Sequence, residues 1–278
     1  MNILFYGNCQ CDALRSVLNL DDTYIKHSIE CFTTNIYEND FLDIIRKCDI
    51  IIIQPVSDNY RDKHYLSTTF IIENCKPDCK IILFNSCYFN FYYFNTSYKV
   101  INGVQLKTPH DYHYNDLITC YKLNLPLEKY FEYYVDNIYY KTSNDLELIA
   151  NDSLYELNNR YEEMIVKYYN HNVFPIYIND YIRNNYKDKL LFYSMNHPSK
   201  YLLQFIAEQI VDHLKIINCI NYNIDPLNNP KCILYKCIQN GVNFNIEDCK
   251  PITSSNDNNY DIAKYYYTSY KINNIIFD

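Results

Sequence analysis

Three observations predict an α/β fold, a parallel sheet flanked by helices with helical insertions. Strand-like and helix-like patterns alternate over the first hundred residues. One strand candidate, Asp49–Val56, holds the unbroken run Ile50-Ile51-Ile52-Ile53, which suits a central parallel strand buried on both faces. Gly7, one of three glycines in 278 residues, stands where the first apolar strand gives way to the first helix. Strands that alternate with helices pair in parallel, because each helical crossover returns the chain to the same end of the sheet.

In order, Asn2–Tyr6 reads as a short buried strand and Cys11–Leu20 as a helix. Tyr24–Phe32 is the second strand, and Asp40–Lys47 carries apolar residues at helical spacing. Asp49–Val56 follows, then a helix over Leu66–Cys75 and a strand over Lys80–Asn85. The middle of the chain is helical: Asn115–Leu123, Leu127–Val135 and a long stretch from Ser143 to Tyr169, capped by Ser143-Asn144-Asp145. Leu190–Ser194 reads as a strand, Asn196–Ser199 as a turn and Tyr201–Leu214 as an amphipathic helix. After Pro226 the chain is rich in Asn and reads as an appended hairpin or cap. The division expected is an α/β domain over 1–222 and an extension over 223–278 packed on it.

Composition narrows the function. The formal charge of −8 argues against a nucleic-acid footprint, which needs a basic face. No apolar run approaches the roughly 20 residues that span a bilayer. The N-terminus opens directly on a strand with no basic leader, so the expected location is the cytoplasm (the host's, if the source is viral). Twelve cysteines are scattered without the paired C-x2-C spacing of a zinc ribbon. Neither a metal nor a disulfide framework is expected, and the thiols are read as reduced and mostly buried. Tyr, Ile, Asn and Lys are abundant while Gly is scarce, the mark of an A/T-rich genome. Tyrosine clusters such as Tyr265-Tyr266-Tyr267 therefore carry little functional weight, whereas a retained glycine carries more.

The chemistry-bearing residues gather at predicted strand ends. Phe5-Tyr6-Gly7-Asn8-Cys9-Gln10 sets a cysteine at a sharp strand-to-helix turn. The free N–H groups of the following helix favour a thiolate, the nucleophilic form. Gln54-Pro55 and Asn85-Ser86 fall at later strand ends, where parallel sheets bind ligands. His197, in Asn196-His197-Pro198-Ser199, occupies a position like that of Cys9 and suits a general base. His64 competes for that role, as do His110 and His113 in Pro109-His110-Asp111-Tyr112-His113. Asp111 and Asp116 either orient a histidine or sugar, or cap the helix at Asn115. Each of these residues also has a plain structural reading, Cys9 as a small buried thiol and the histidines as surface or satisfied core residues.

Taken together, the motifs resemble the WcbI-type polysaccharide-biosynthesis family. The matching elements are Gly7-Asn8-Cys9-Gln10, Gln54-Pro55-Val56, Pro109-His110-Asp111, Ile178-Asn179-Asp180-Tyr181-Ile182 and Asn196-His197-Pro198-Ser199, over about residues 1–220. The resemblance implies a flavodoxin-like or SGNH-hydrolase-like core, coenzyme A binding, and acetyl transfer to a sugar or nucleotide-sugar.

On that reading Cys9, His197 and His110 are the candidate catalytic residues. Gly7, Asn8, Gln10, Gln54, Asn85, Asp111 and His113 shape the pocket. The oxyanion donors are the Cys9 or Gln10 N–H with the Asn8, Gln54 or Asn85 side chains. Arg61, Lys63, Asn196, Ser199 and Lys200 are candidates for holding acetyl-CoA, with the N-termini of helices as further phosphate sites. Two alternatives share these residues: a carbohydrate esterase, in which water accepts the acetyl group, and a non-catalytic glycan-binding module.

Overall fold

The structure, a computed structural model, describes residues 1–32, 35–217, 219–228, 232–249 and 258–277. Its main strands are β1 (Asn2–Gly7), β2 (Ile25–Glu30), β3 (Ile50–Ile53), β4 (Lys80–Phe84) and β5 (Val173–Ile176). The helices are α1 (Cys9–Val17), α2 (Glu38–Ile45), α3 (Thr68–Asn74), α4 (Asn115–Lys122) and α5 (Leu127–Tyr130), followed by α6 (Ser143–Tyr168), α7 (Asn179–Asn185), α8 (Lys200–Leu214) and α9 (Asn259–Ile272). The chain groups into two compact units. One comprises Met1–Tyr88, Leu154–Asn185 and His197–Leu227; the other comprises Phe89–Ser153, Tyr186–Asn196 and Asn228–Asp278.

The first unit is built on the five-stranded sheet, ordered β2-β1-β3-β4-β5 and parallel throughout. This is the flavodoxin order, in which the chain reverses direction across the sheet between β1 and β3. Alternate residues point to opposite faces. Leu4, Tyr6, Ile51, Ile53, Ile81 and Leu83 pack with Phe41 and Ile45 of α2, Ile71 and Ile72 of α3, and Met164 and Tyr168 of α6. The isoleucine run of β3 is buried along its whole length, as its unbroken apolar pattern predicts. On the other side α1 lies against β1, and α8 packs on α1.

Local chemistry moves several boundaries. Helix α1 starts at Cys9, two residues earlier than its periodicity suggests, because the Asn8 side chain caps it by accepting from Gln10 N at 2.9 Å. The ladder of β3 stops at Ile53, just before Pro55, which has no N–H to contribute. Strand β5 is absent from the sequence reading. Pro175 interrupts its pattern, and a proline fits there because β5 is an edge strand.

The second unit has an aromatic core. Tyr114, Tyr130, Tyr235, Tyr266, Tyr267 and Tyr270 are buried with Leu117, Leu127 and Ala263, so two of the three residues in the Tyr265–Tyr267 cluster are core. The π-turn Phe131–Val135 continues α5, so the expected helix over Leu127–Val135 forms in two pieces. Neither Asp111 nor Asp116 caps α4: Asn95 Oδ1 accepts from Asp116 N at 3.0 Å instead. The Asp116 carboxylate accepts from Tyr140 and Tyr235 hydroxyls at 3.1 and 3.3 Å, and burial raises its pKa above the ordinary range. Thr142 and Asp145 close α6 with a reciprocal capping box, one residue before the expected Ser143 cap. Among the described residues after Pro226, two 3₁₀ turns (Lys236–Gly241 and Ile246–Cys249) and α9 form, and of the two expected forms, hairpin or cap, the hairpin is not seen there. Residues 229–231 and 250–257 of that expected hairpin lie outside the described residues.

Candidate active site

The turn from β1 into α1 is held from beneath by two buried glutamines. Gln54, just past β3, accepts from Asn8 N through Oε1 at 2.9 Å and donates through Nε2 to Gln10 Oε1 at 2.8 Å. Gln10 Oε1 also accepts from Cys87 N at 2.8 Å, and its Nε2 donates to Cys87 O at 2.9 Å. Asn8 Nδ2 donates to Ser86 Oγ at 3.3 Å. The ends of β1, β3 and β4 are thereby tied together by side-chain amides. Gly7 is required by this tie, since a Cβ there would meet Gln54 Oε1 at 2.5 Å and Gln54 Cβ at 3.0 Å. Gln10 is 0% and Gln54 2% exposed, with their amides turned inward. They build the turn and do not supply the side-chain oxyanion donor expected of Gln54. Asn85 is buried just past the end of β4.

Above this tie Cys9 is half-buried, and its Sγ lies 3.9 Å from His197 Nε2. That is a long sulfur–nitrogen contact, of the kind that tightens in a reacting complex. The two residues are 188 positions apart and both belong to the first unit. His197 arrives on a short extended segment, His197–Pro198, that leads into α8.

The thiol's resting state departs from expectation. Its own N–H and that of Gln10 do favour the thiolate, as the helix start predicts. Burial outweighs them, with the Glu30 carboxylate adding to it, and the pKa is pushed up to about 11. Cys9 therefore rests as a protonated thiol at neutral pH. Glu30 is a site residue that sequence reading missed. It comes beside the turn because β2 runs in parallel register with β1, opposite Gly7, and no local pattern announces that register. Removing a negative neighbour stabilises the thiolate, so Glu30→Gln is expected to lower the Cys9 pKa. Iodoacetamide alkylation of Cys9 at pH 8 then rises several-fold, and its pH profile, inflecting near 11 in the wild type, moves to lower pH. An unchanged profile would remove Glu30 from this role.

The remaining candidates divide between the units. In the first unit, Arg61 donates to Phe32 O at 2.9 Å, and its charge favours the Cys31 thiolate just past β2. Lys63 Nζ stands 5.8 Å from the centre of the Tyr65 ring. Ser199 is the N-cap of α8 and is fully buried, and its Oγ has no hydrogen-bond partner among the described residues. Lys200 N donates to Asp225 Oδ1 at 3.0 Å, and Lys200 Nζ lies over Tyr201.

In the second unit, Asn196 is engaged by hydroxyls. Its Oδ1 accepts from Tyr112 at 2.5 Å and Ser194 at 3.2 Å, and its Nδ2 donates to Tyr98 at 2.9 Å. His110 packs 6.0 Å from the rings of Tyr265 and Tyr266. Asp111 accepts from Gln105 at 3.4 Å. His113 is a correction: it is fully buried, with Nδ1 2.9 Å from Tyr270 OH and Nε2 3.1 Å from Leu106 O. Leu106 O can only accept, so Nε2 carries the proton and Nδ1 accepts from the tyrosine. Both nitrogens are used, burial lowers the pKa, and His113 is a neutral core residue and not part of a pocket.

Comparison with known proteins agrees with this architecture. The family profile described as polysaccharide biosynthesis enzyme WcbI matches residues 2–217. None of the curated proteins matches the chain. A solved structure described as WcbI, a novel polysaccharide biosynthesis enzyme, superposes with a TM-score of 0.75 at 23% identity. The match covers 88% of this chain and 80% of that one. That structure is described as the native protein without a disulfide bond between coenzyme A and one of its cysteines. Among the described residues no helix is long and apolar enough to cross a membrane.

Proposed function

Because the chain belongs to the WcbI family of polysaccharide-biosynthesis enzymes, we propose that it is an acetyltransferase that moves an acetyl group from acetyl-CoA to a sugar or nucleotide-sugar. The observation that carries this reading is the Cys9–His197 pair at the carboxyl ends of a parallel sheet, beside a helix N-terminus. The solved relative's description names coenzyme A together with a cysteine, which supports the same donor here.

The donor set suits a phosphate-bearing thioester. Arg61 and Lys63 supply cations, while Ser199 offers an unpartnered hydroxyl at the start of α8 next to Lys200. These residues would hold the donor, which brings an activated acyl carbonyl. Cys9 Sγ then attacks that carbonyl as its proton passes to His197 Nε2. A thiol with a pKa near 11 needs such a base at neutral pH. The backbone N–H of Cys9, which already favours negative charge on Sγ, would stabilise the developing oxyanion, while the Gln10 N–H is engaged by the Asn8 cap. His197 returns the proton to the departing CoA thiol and afterwards takes the proton of the acceptor hydroxyl or amine, which attacks the Cys9 thioester; the C–S bond breaks and His197 hands that proton back to Cys9 Sγ. In the direct variant no acyl-enzyme forms, and His197 activates the acceptor alone.

A thermal-shift titration tests donor binding. A ligand that binds only the native state adds about 2.7 kcal/mol at a hundred times its dissociation constant. A saturable rise in Tm with acetyl-CoA, absent with a simple acetyl ester, is the expected result. Hydrolysis of that ester without any response to either CoA species would favour the esterase.

A further inference from the structure

The second unit holds a tyrosine that offers its ring, and not its hydroxyl, to solvent. The short strands Thr96–Ser97 and His113–Tyr114 pair antiparallel, with Ser97 opposite His113. One residue further along that register Tyr98 meets Tyr112, and their ring centres stand 5.4 Å apart at 44°. Tyr112 is 7% exposed, whereas Tyr98 is 45% exposed. A surface tyrosine ordinarily turns its polar tip to water and lays its ring on the protein. Here the tip is engaged instead, since Tyr98 OH accepts from Asn196 Nδ2 at 2.9 Å. Asn196 is held in turn through Oδ1, which accepts from Tyr112 OH at 2.5 Å and from the fully buried Ser194 Oγ at 3.2 Å. Tyr98, Tyr112, Ser194 and Asn196 all belong to the second unit.

The Tyr98 ring is thus pinned at its tip and braced on one side by Tyr112, and the remainder of it carries the exposure. An ordered ring in water adds little to folding, but it lowers the cost of binding because the contact surface is already fixed. The side chains of this cluster carry hydroxyls, an amide and π faces but no charge, so they suit a neutral polyol over an anion or a cation. The weakly positive C–H face of a pyranose lies well on the negative face of a tyrosine ring. Its hydroxyls find amide and hydroxyl groups at the ring's edge. The 44° between the two rings leaves no parallel slot of the kind that clamps a planar base.

We propose that Tyr98, braced by Tyr112 and fixed by Asn196, is a pyranose-stacking platform. Asn196 acts by positioning the ring. Its peptide bond leads directly into His197, and on that ground the bound sugar is assigned as the acceptor of the acetyl group, an assignment that rests on the acetyl-transfer reading. Binding of the sugar does not rest on it.

Saturation-transfer NMR on the full chain, without acetyl-CoA, tests the platform. The probes are the methyl pyranosides of glucose, galactose and mannose, with uridine as the planar-base control. Transfer to the ring C–H protons of a pyranoside is expected, and Tyr98→Ala is expected to weaken its binding about tenfold. Tyr98→Phe keeps the ring but loses the bond to Asn196, and it falls between the two. The chain contains no tryptophan, so Tyr98→Trp places a single indole at the platform, and its emission is expected to shift as the same pyranoside is titrated. The proposal is overturned by a wild-type protein that transfers to none of the pyranosides, by uridine as the sole ligand, or by a flat emission titration. Pyranoside binding that Tyr98→Ala leaves unchanged overturns it too. Tyr98-dependent binding in a protein whose Tm ignores acetyl-CoA would keep the platform and remove the acetyl-transfer reading. An active acetyltransferase without such binding would do the reverse.

Discussion

Cys9→Ala is expected to lower acetyl transfer at least about a thousandfold, since residues that act as one catalytic unit lose most of its effect when the nucleophile is removed. Stability is expected to change by only about 0.5 kcal/mol, because Cys9 is half-buried and outside the hydrogen-bonded tie beneath it. His197→Gln is expected to cost about 10²–10⁴-fold, the usual worth of a positioned general base. That variant keeps the Cys9 thiol, so trapped acyl-enzyme accumulates slowly and appears as added acetyl mass on the intact protein. Rapid-quench mass spectrometry of wild type, Cys9→Ala and His197→Gln with acetyl-CoA and an acceptor reads all three. Near-normal turnover by Cys9→Ala would eliminate the covalent route and leave His197 activating the acceptor directly.

Gln10→Leu is expected to be the most destabilising single change at the site. The leucine occupies a similar volume but leaves the Cys87 N–H, the Cys87 carbonyl and the Gln54 Nε2 without partners in a fully buried place. Each orphaned buried group costs about 1–3 kcal/mol, and partial relaxation brings the expected total to about 3 kcal/mol. Urea denaturation measures it as a lower midpoint at unchanged slope. Activity is expected to fall even in the fraction that remains folded, because Asn8 and the first turn of α1 lose the frame that aims Cys9. Gln10→Glu separates the two effects. Burial keeps that carboxyl protonated, so it accepts from Cys87 N and donates to Cys87 O as the amide does, and the cost of holding the proton at neutral pH places it between wild type and leucine. A Gln10→Leu protein as stable as wild type would show that the amide tie is not what holds the turn.

What the sequence made legible follows from how local each signal is. Gly7-Asn8-Cys9-Gln10 is read from adjacent residues, and the isoleucines of β3 announce their own burial. The helix at Lys200–Leu214 carries a strong apolar face, and its start locates His197. The missed features are all set by distant partners. Glu30 reaches Gly7 only through strand register, and Asn95 caps a helix that starts twenty residues further on. Strand β5 was hidden by Pro175, which is compatible with a strand only at an edge that the sequence does not reveal. His113 matched a motif, yet its place is decided by Tyr270 and Leu106. The raised thiol pKa of Cys9 belongs to the same group, since burial is a property of everything packed around the residue.

The sheet order has a consequence for how the enzyme is made. Strands β1 to β4, the two glutamines and the Cys87 backbone all come from the first 88 residues. The turn that seats Cys9 can therefore assemble from contacts within one short segment. Until β5 emerges, the outer edge of β4 has no neighbour, so apolar Ile81–Phe84 and their backbone groups are open to unwanted pairing. His197 leaves the ribosome later still. A nascent chain thus receives the Cys9 turn first, the covered edge of β4 second and His197 after both.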